Sequence, residues 1–357
     1  MSKVLNNFTL SIIHWDLKIS IASSFGFTFF SIDITETNDK YYYGLFGFLG
    51  NGGVINDVTL DSGTISLGAS LDNDPIIGGI VGYNNGLVKG CTNKLDIISK
   101  YDSWTYAGGI VGMGNSDINS YSWSGSVVDC RNEGNISIGN VGSAGGIIGV
   151  QLNSNTYTHF FNLSNTGSIT GGRSVEIGGI AGWLNGVGFR DNPLINCYNT
   201  GNLTTGTLTP DSSIAGDIGG IVGYLYIGTV ENSFNTGDIE VLYSDTANTS
   251  GFYIGGLVGY SNSPAVKNSY NTGIITGPED RIGPISGANG YYTAHANCYH
   301  MEGSVPNSLI NTGATKLTEK QMKGIDASTI LFINSSDEEV TYGPANGAFI
   351  YALNNGK

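Results

Sequence analysis

The sequence predicts an all-β fold, a right-handed parallel β-helix (β-solenoid) of about eight coils with a short mixed cap at its C-terminal end. Three observations predict it. A glycine-bounded phrase returns at near-regular intervals, an asparagine-rich phrase keeps register with it, and the apolar runs between them are short and β-branched. Glycine contributes 55 of 357 residues, about twice the usual share and without collagen's period of three. Such density opposes helices, because each interior glycine costs roughly 1 kcal/mol.

The first phrase reads Gly78-Gly79-Ile80-Val81-Gly82-Tyr83 and recurs around Ile110, Ile147, Ile180, Ile221 and Leu257. A looser copy at Gly44–Phe48 opens the series and a degenerate one at Gly287–Tyr291 closes it. Its second glycine falls at Gly79, Gly109, Gly146, Gly179, Gly220 and Gly256. Recurrence every 20–50 residues is the signature of solenoids and arrays. The second phrase is clearest at Asn196-Cys197-Tyr198-Asn199-Thr200-Gly201, repeated from Asn232 and from Asn268, and looser from Asp129 and Asn162. Short runs bounded by Gly, Asn and Thr read as strands and turns.

One unit of this length cannot bury its own strands, but stacked copies can. Parallel stacking places equivalent residues about 4.7–4.9 Å apart, so each recurring column becomes a ladder. The expected ladders are an apolar file (Ile80, Ile110, Ile147, Ile180, Ile221, Leu257) and an amide file (Asn162, Asn196, Asn232, Asn268, with Asn297). Stacked Asn amides pass hydrogen bonds from layer to layer. Cys91, Cys130, Cys197 and Cys298 share one slot, held elsewhere by Leu163, Ser233 and Ser269. That slot reads as a small inward packing position, with a Cys91–Cys130 bridge between neighbouring coils as the alternative. Three blocks per unit suggest roughly three strands per coil. A β-propeller is the alternative fold, but its blades carry four strands, and these units look one strand short.

Three regions follow: a non-repeat lead-in or cap over residues 1–40, the repeats over 41–300, and a C-terminal cap over 301–357. In the lead-in, Asp16 and Lys18 interrupt the apolar runs. What remains is too short to span a bilayer and makes a poor signal peptide. A strand segment shielding the first coil is the natural reading, since an open coil end exposes unpaired strand edges. In the tail, Thr318-Glu319-Lys320-Gln321 reads as a capping box opening a helix to about Ala327. Leu331–Ile333, Val340–Tyr342 and Ala348–Leu353 are candidate strands.

The net charge is −14, which argues against a nucleic-acid binder, because that class needs a basic stripe. The four histidines, His14, His159, His295 and His300, form no His-Glu-x-x-His motif. The cysteine and histidine spacing supports no zinc site. No P-loop, Rossmann or Gly-x-Ser-x-Gly fingerprint stands in a fitting context, and no cofactor is expected.

Two candidate sites remain. The residue after the last glycine of the phrase is often aromatic (Tyr83, Trp183, Tyr224, Tyr260), and a second column runs Tyr198, Phe234, Tyr270. Rows of rings facing outward would bind sugars or proteins; facing inward they would be packing. Glu176 and Asp217 form the second candidate, two residues before the glycine pair in adjacent coils. In-register stacking brings their backbones to roughly 5 Å, near the separation retaining glycosidases use. The ordinary reading is a solvated strand end, and calcium binding is a further alternative.

The paired phrases, Gly-Gly-[Ile/Leu]-Val-Gly and Asn-[Cys/Ser]-[Tyr/Phe]-Asn-Thr-Gly, closely resemble the GLUG-motif repeat family over about Tyr41–His300. That family occurs in bacterial surface and secreted proteins, including regions attached to IgA-specific zinc metalloproteases. The resemblance implies a bacterial, extracellular or cell-surface module, non-enzymatic, serving adhesion, binding or display of a host or environmental glycan or protein. Its variable loops, such as Asn153–His159, Thr205–Gly216 and Tyr243–Ser250, would contribute. The protease activity of some members does not carry over without the zinc motif. The alternative function is a β-helical carbohydrate-active enzyme, a polysaccharide lyase or glycoside hydrolase.

Overall fold

Glycine pairs set the corners of this chain and strands one coil apart hydrogen-bond across them, as a computed structural model shows. It describes residues 18–24, 27–36 and 41–323, apart from short internal stretches at 72, 116–123, 153–157, 186–192, 209–214, 227, 245–250, 263, 290–294 and 307–313. The fold is an all-β solenoid of parallel strands, and the propeller alternative does not hold. The strands just before the glycine pairs form one eight-stranded parallel sheet, from Tyr42–Tyr43 to Ile282–Gly283. Those just after them form a second eight-stranded sheet, from Phe46–Leu49 to Ser286–Asn289. We call these the pre-glycine and post-glycine sheets. The remaining strands of each coil join in a third, 23-stranded sheet.

The solenoid has about six turns rather than the expected eight. Strands are also more numerous than expected. The coil from Ile76 to Ser99 has strands at Ile76–Gly78, Val81–Asn84, Leu87–Lys89, Thr92–Asn93 and Asp96–Ser99. The extra breaks come from the asparagine-rich phrase. Its first residue takes a left-handed backbone at Asp57, Asp129, Asn162, Asn196, Asn232, Asn268 and Asn297, with φ between 49° and 57°. Gly90 fills the same slot at φ 65°. Asn, Asp and Gly are the residues that tolerate this conformation, so one slot accepts these three and breaks the strand in most coils, while Pro264–Asn271 and Ala296–Met301 run through it.

Every residue of the apolar file is fully buried: Ile80, Ile110, Ile147, Ile180, Ile221 and Leu257. Backbone bonds join them in order, as from Ile180 N–H to Ile221 O at 2.9 Å and from Ile221 N–H to Leu257 O at 2.9 Å. All four cysteines are free and buried, so the slot is a packing position and the Cys91–Cys130 bridge does not form. Burial pushes the Cys197 and Cys298 thiols up to about 12.

Two amide files run along much of the rod. In the outer, partly exposed one, Asn162 donates to Asp129, Asn196 to Asn162, Asn232 to Asn196, Asn268 to Asn232 and Asn297 to Asn268, at 2.7–3.4 Å. The inner file is Asn93, Asn132, Asn165, Asn199, Asn235 and Asn271, all fully buried. The first five donate from Nδ2 to the Oδ1 of the next coil at 2.8 Å, and all six donate to the carbonyl two residues ahead at 2.7–3.0 Å. A buried amide is tolerated only when so satisfied. The inner file donates toward the C-terminal end and the outer file toward the N-terminal end.

At the N-terminal end, β1 (Lys18–Ser24) and β2 (Phe27–Glu36) form an antiparallel pair, and β2 runs parallel to Thr59–Leu67 of the first coil. At the other end, Thr315–Leu317 pairs with Ala296–Met301, followed by the helix α1 (Glu319–Lys323). The expected capping box is present. Thr318 N–H donates to Gln321 Oε1 at 2.9 Å and Gln321 N–H to Thr318 Oγ1 at 3.2 Å. The candidate strands at Leu331–Ile333, Val340–Tyr342 and Ala348–Leu353, and most of the three variable loops, lie outside the described residues. No described helix is long and apolar enough to cross a membrane.

Candidate functional site

The glycine corner folds the post-glycine sheet back against the outside of the pre-glycine sheet. The last glycine of the phrase lies directly on the neighbouring coil's backbone: a Cβ on Gly182 would fall 2.8 Å from Ala144 N, and one on Gly223 would fall 2.8 Å from Ile177 N. Over these glycines the outward side chains of the two sheets face each other along a seam parallel to the solenoid axis, which we call the cleft, its two sides being the walls. Ring contacts across it confirm the approach, Tyr42 to Tyr83 at 5.3 Å and Tyr253 to Tyr260 at 5.4 Å.

The post-glycine wall is the first aromatic column. Phe48 stacks on Tyr83 at 5.3 Å. Met113 and Val150 continue the column and are buried in an apolar cluster that Tyr83, Tyr106 and Trp183 flank. Trp183 meets Tyr224 edge-on at 5.6 Å, and Tyr224 stacks on Tyr260 at 5.4 Å. Tyr83, Trp183, Tyr224 and Tyr260 are half-buried, with one side toward solvent. Phe48 is 57% exposed. This column is therefore partly open to solvent.

The second column is less so. Tyr198, Phe234 and Tyr270 stack at 5.1 Å with planes 5–6° apart, but Phe234 and Tyr270 are buried in a cluster with Tyr299, Leu317 and Met322. The C-terminal cap closes over them. They hold the cap down, and only Tyr198 stays half-exposed.

The pre-glycine wall carries the column Ile76, Tyr106, Ser143, Glu176, Asp217, Tyr253 in register. Glu176 and Asp217 are direct partners, but the solvated strand end expected from the sequence is wrong. Asp217 is 8% exposed, and both Glu176 Oε2 and Asp217 Oδ1 are closed off from solvent with no hydrogen-bond partner among the described residues. Burial raises Glu176 to about 7. Burial first, and then the neighbouring Glu176 charge, push Asp217 well above the usual carboxylate range. Their field reaches the Tyr224 phenol, which burial and nearby negative groups including Asp217 and Glu176 raise. The signal was legible: an acid stands in a slot that other coils fill with Ile76, Tyr106 or Tyr253. Among the described residues no third Asp, Glu, His or Cys joins the pair in a metal-holding group.

Fold and cleft define the chain as a repeat β-solenoid with an aromatic-walled groove. Residues 214–240 match the family described as the GLUG motif, so the resemblance read from the repeated phrases holds. The matched stretch is one coil, from the strand Ala215–Gly219 through Ile239–Glu240. No curated protein matches the chain. Among solved structures it is similar to one from Bacteroides ovatus described as a "putative immunoglobulin A1 protease". The identity is 16% and the TM-score 0.41, over 83% of this chain and 87% of that one.

Proposed function

We propose that this chain is a non-enzymatic, surface-exposed or secreted bacterial binding module whose recognition face is the cleft between the pre- and post-glycine sheets. The observation that carries the reading is the half-exposed ring row of Trp183, Tyr224 and Tyr260, held at 5.4–5.6 Å. Rings fixed by a rigid scaffold offer large apolar contact at low entropic cost, which suits adhesion to a glycan or protein. The GLUG motif and the solenoid support the surface setting.

The test is an array of glycans and proteins probed with the wild type and with Trp183→Ala, Tyr224→Ala and Tyr260→Ala. Binding that falls stepwise as rings are removed supports the reading; three variants that bind like wild type would overturn it. The buried Glu176–Asp217 pair favours one second reading, a carbohydrate-active enzyme, because a carboxyl near 7 suits general acid catalysis. Polysaccharide turnover that disappears in Glu176→Gln, with unchanged melting, would replace the binding reading with that one.

A further inference from the structure

We propose that the cleft contains a dedicated site for the ammonium group of a lysine side chain from a partner protein, with Glu176 and Asp217 on its pre-glycine wall and Trp183 and Tyr224 on the opposite wall. This rests on the binding reading and names the ligand chemistry.

Nothing in the fold requires two acids here. Other coils put Ile76, Tyr106 and Tyr253 in the same column, and a buried uncompensated carboxylate is costly. The pair stands one strand spacing apart, about 4.8 Å at the backbone, with Glu176 Oε2 and Asp217 Oδ1 both lacking a partner among the described residues. Each acid shares its coil with an aromatic residue of the opposite wall, Glu176 with Trp183 and Asp217 with Tyr224. A cation seated between acid and ring gains charge-assisted hydrogen bonds and attraction to the ring face. One rung further along, the cleft already seats a cation of its own. Arg281 lies over the Tyr253 ring at 6.0 Å while pairing with Asp280 at 3.3 Å.

The geometry selects lysine. Calcium takes six to eight oxygens, and rings occupy the opposite wall. A guanidinium fork matches one carboxylate in two-pronged fashion, whereas an ammonium has three donors that rotate to bridge two carboxylates. The acids' unpartnered oxygens are closed off from solvent, so the charge must arrive on a thin stem. Lysine has one of four carbons, while the amine of an amino sugar sits directly on its ring.

The experiment titrates the full chain with the peptide Gly-Gly-Lys-Gly-Gly, its norleucine counterpart and glucosamine, following tryptophan fluorescence and calorimetry. We expect the lysine peptide to bind about tenfold or more tightly than the norleucine peptide. The double variant Glu176→Gln/Asp217→Asn should abolish that preference and melt at or above the wild-type temperature. Equal binding of the two peptides, lysine preference surviving in the double variant, or binding of glucosamine alone would overturn the proposal. A lower melting temperature in the double variant would do so too, by making the acids structural. If arrays still show ring-dependent binding while the lysine preference is missing, the lysine site fails and the binding reading stands.

Discussion

Gly179 lies against Asn199 so closely that a Cβ on the glycine would stand 2.5 Å from the Asn199 Cβ. The same contact recurs between Gly220 and Asn235 and between Gly256 and Asn271. It joins the two halves of the repeat: the second glycine is small because the buried asparagine occupies the space its side chain would take. Gly179→Ala should therefore destabilise by about 3 kcal/mol, since neither the amide nor the Gly220 carbonyl beside it can yield. Gly50→Ala is the control. Its nearest contact would be a Phe48 ring atom at 3.7 Å, and it should stay within about 0.5 kcal/mol. Thermal melting of both variants checks the pair.

Asn199→Ala should cost about 3 kcal/mol. It leaves the Asn165 Nδ2 without its acceptor and the Asn235 Oδ1 without its donor, and each orphaned buried group costs about 1–3 kcal/mol. Hydrogen exchange should accelerate at the amides of the adjacent coils first, because stability in a solenoid is transmitted between neighbours. Uniform exchange along the rod would contradict this.

The outer file obeys a different constraint. Asn196 has φ 57° and its file's amide bonds are only partly buried, so the backbone rather than the hydrogen bond decides. Asn196→Gly should lie within about 1 kcal/mol of wild type, as Gly90 in the same slot indicates. Asn196→Val should cost about 1–2 kcal/mol more, for a left-handed backbone that valine resists. Equal stability of the two variants would show that the turn is not the constraint.

The carboxyl pair makes stability depend on pH in an unusual direction. Glu176 is near 7 in the folded protein and about 4.3 in an unfolded chain, so the folded state holds the proton more tightly. Protons therefore favour folding. This contribution is fully present below about pH 4.3 and is lost as pH rises through about 7. Asp217, shifted in the same direction, adds to it. The melting temperature should fall between pH 5 and 8, and Glu176→Gln should flatten that fall. A wild-type profile that rises over this range would contradict the assignment.

Cys197 and Cys298 combine full burial with thiols near 12. Only thiolate reacts, so neither should be labelled by a thiol reagent in the folded protein at pH 8, and both should be in denaturant. Rapid labelling of the native protein would mean that the cysteine slot opens.

The apolar file, the cysteine slot and the outer amide file were legible because each repeats one residue class at the solenoid period. The inner file was written in the same phrase, in Asn199 and Asn235, but its depth was not visible. Only the glycine contacts reveal it. Glu176 and Asp217 were read as solvated because the outside of a coil is ordinarily open; the angle at the Gly-Gly corner, which closes it, has no sequence signature beyond small size. The stacking of Tyr198, Phe234 and Tyr270 followed from register. Their burial depended on where Leu317 and Met322 of the tail come to rest, and no periodicity encodes that.

The opposed directions of the two amide files have an evolutionary corollary. From the layer of Asp129 to that of Asn268 each junction is chemically the same, with one inward amide donating forward and one outward amide donating back. A duplicated or deleted layer therefore restores both circuits without any compensating substitution, whereas a fractional insertion would set donor against donor. The rod can lengthen or shorten by whole units, and its groove with it, so reach toward a target can change while the rules of assembly do not.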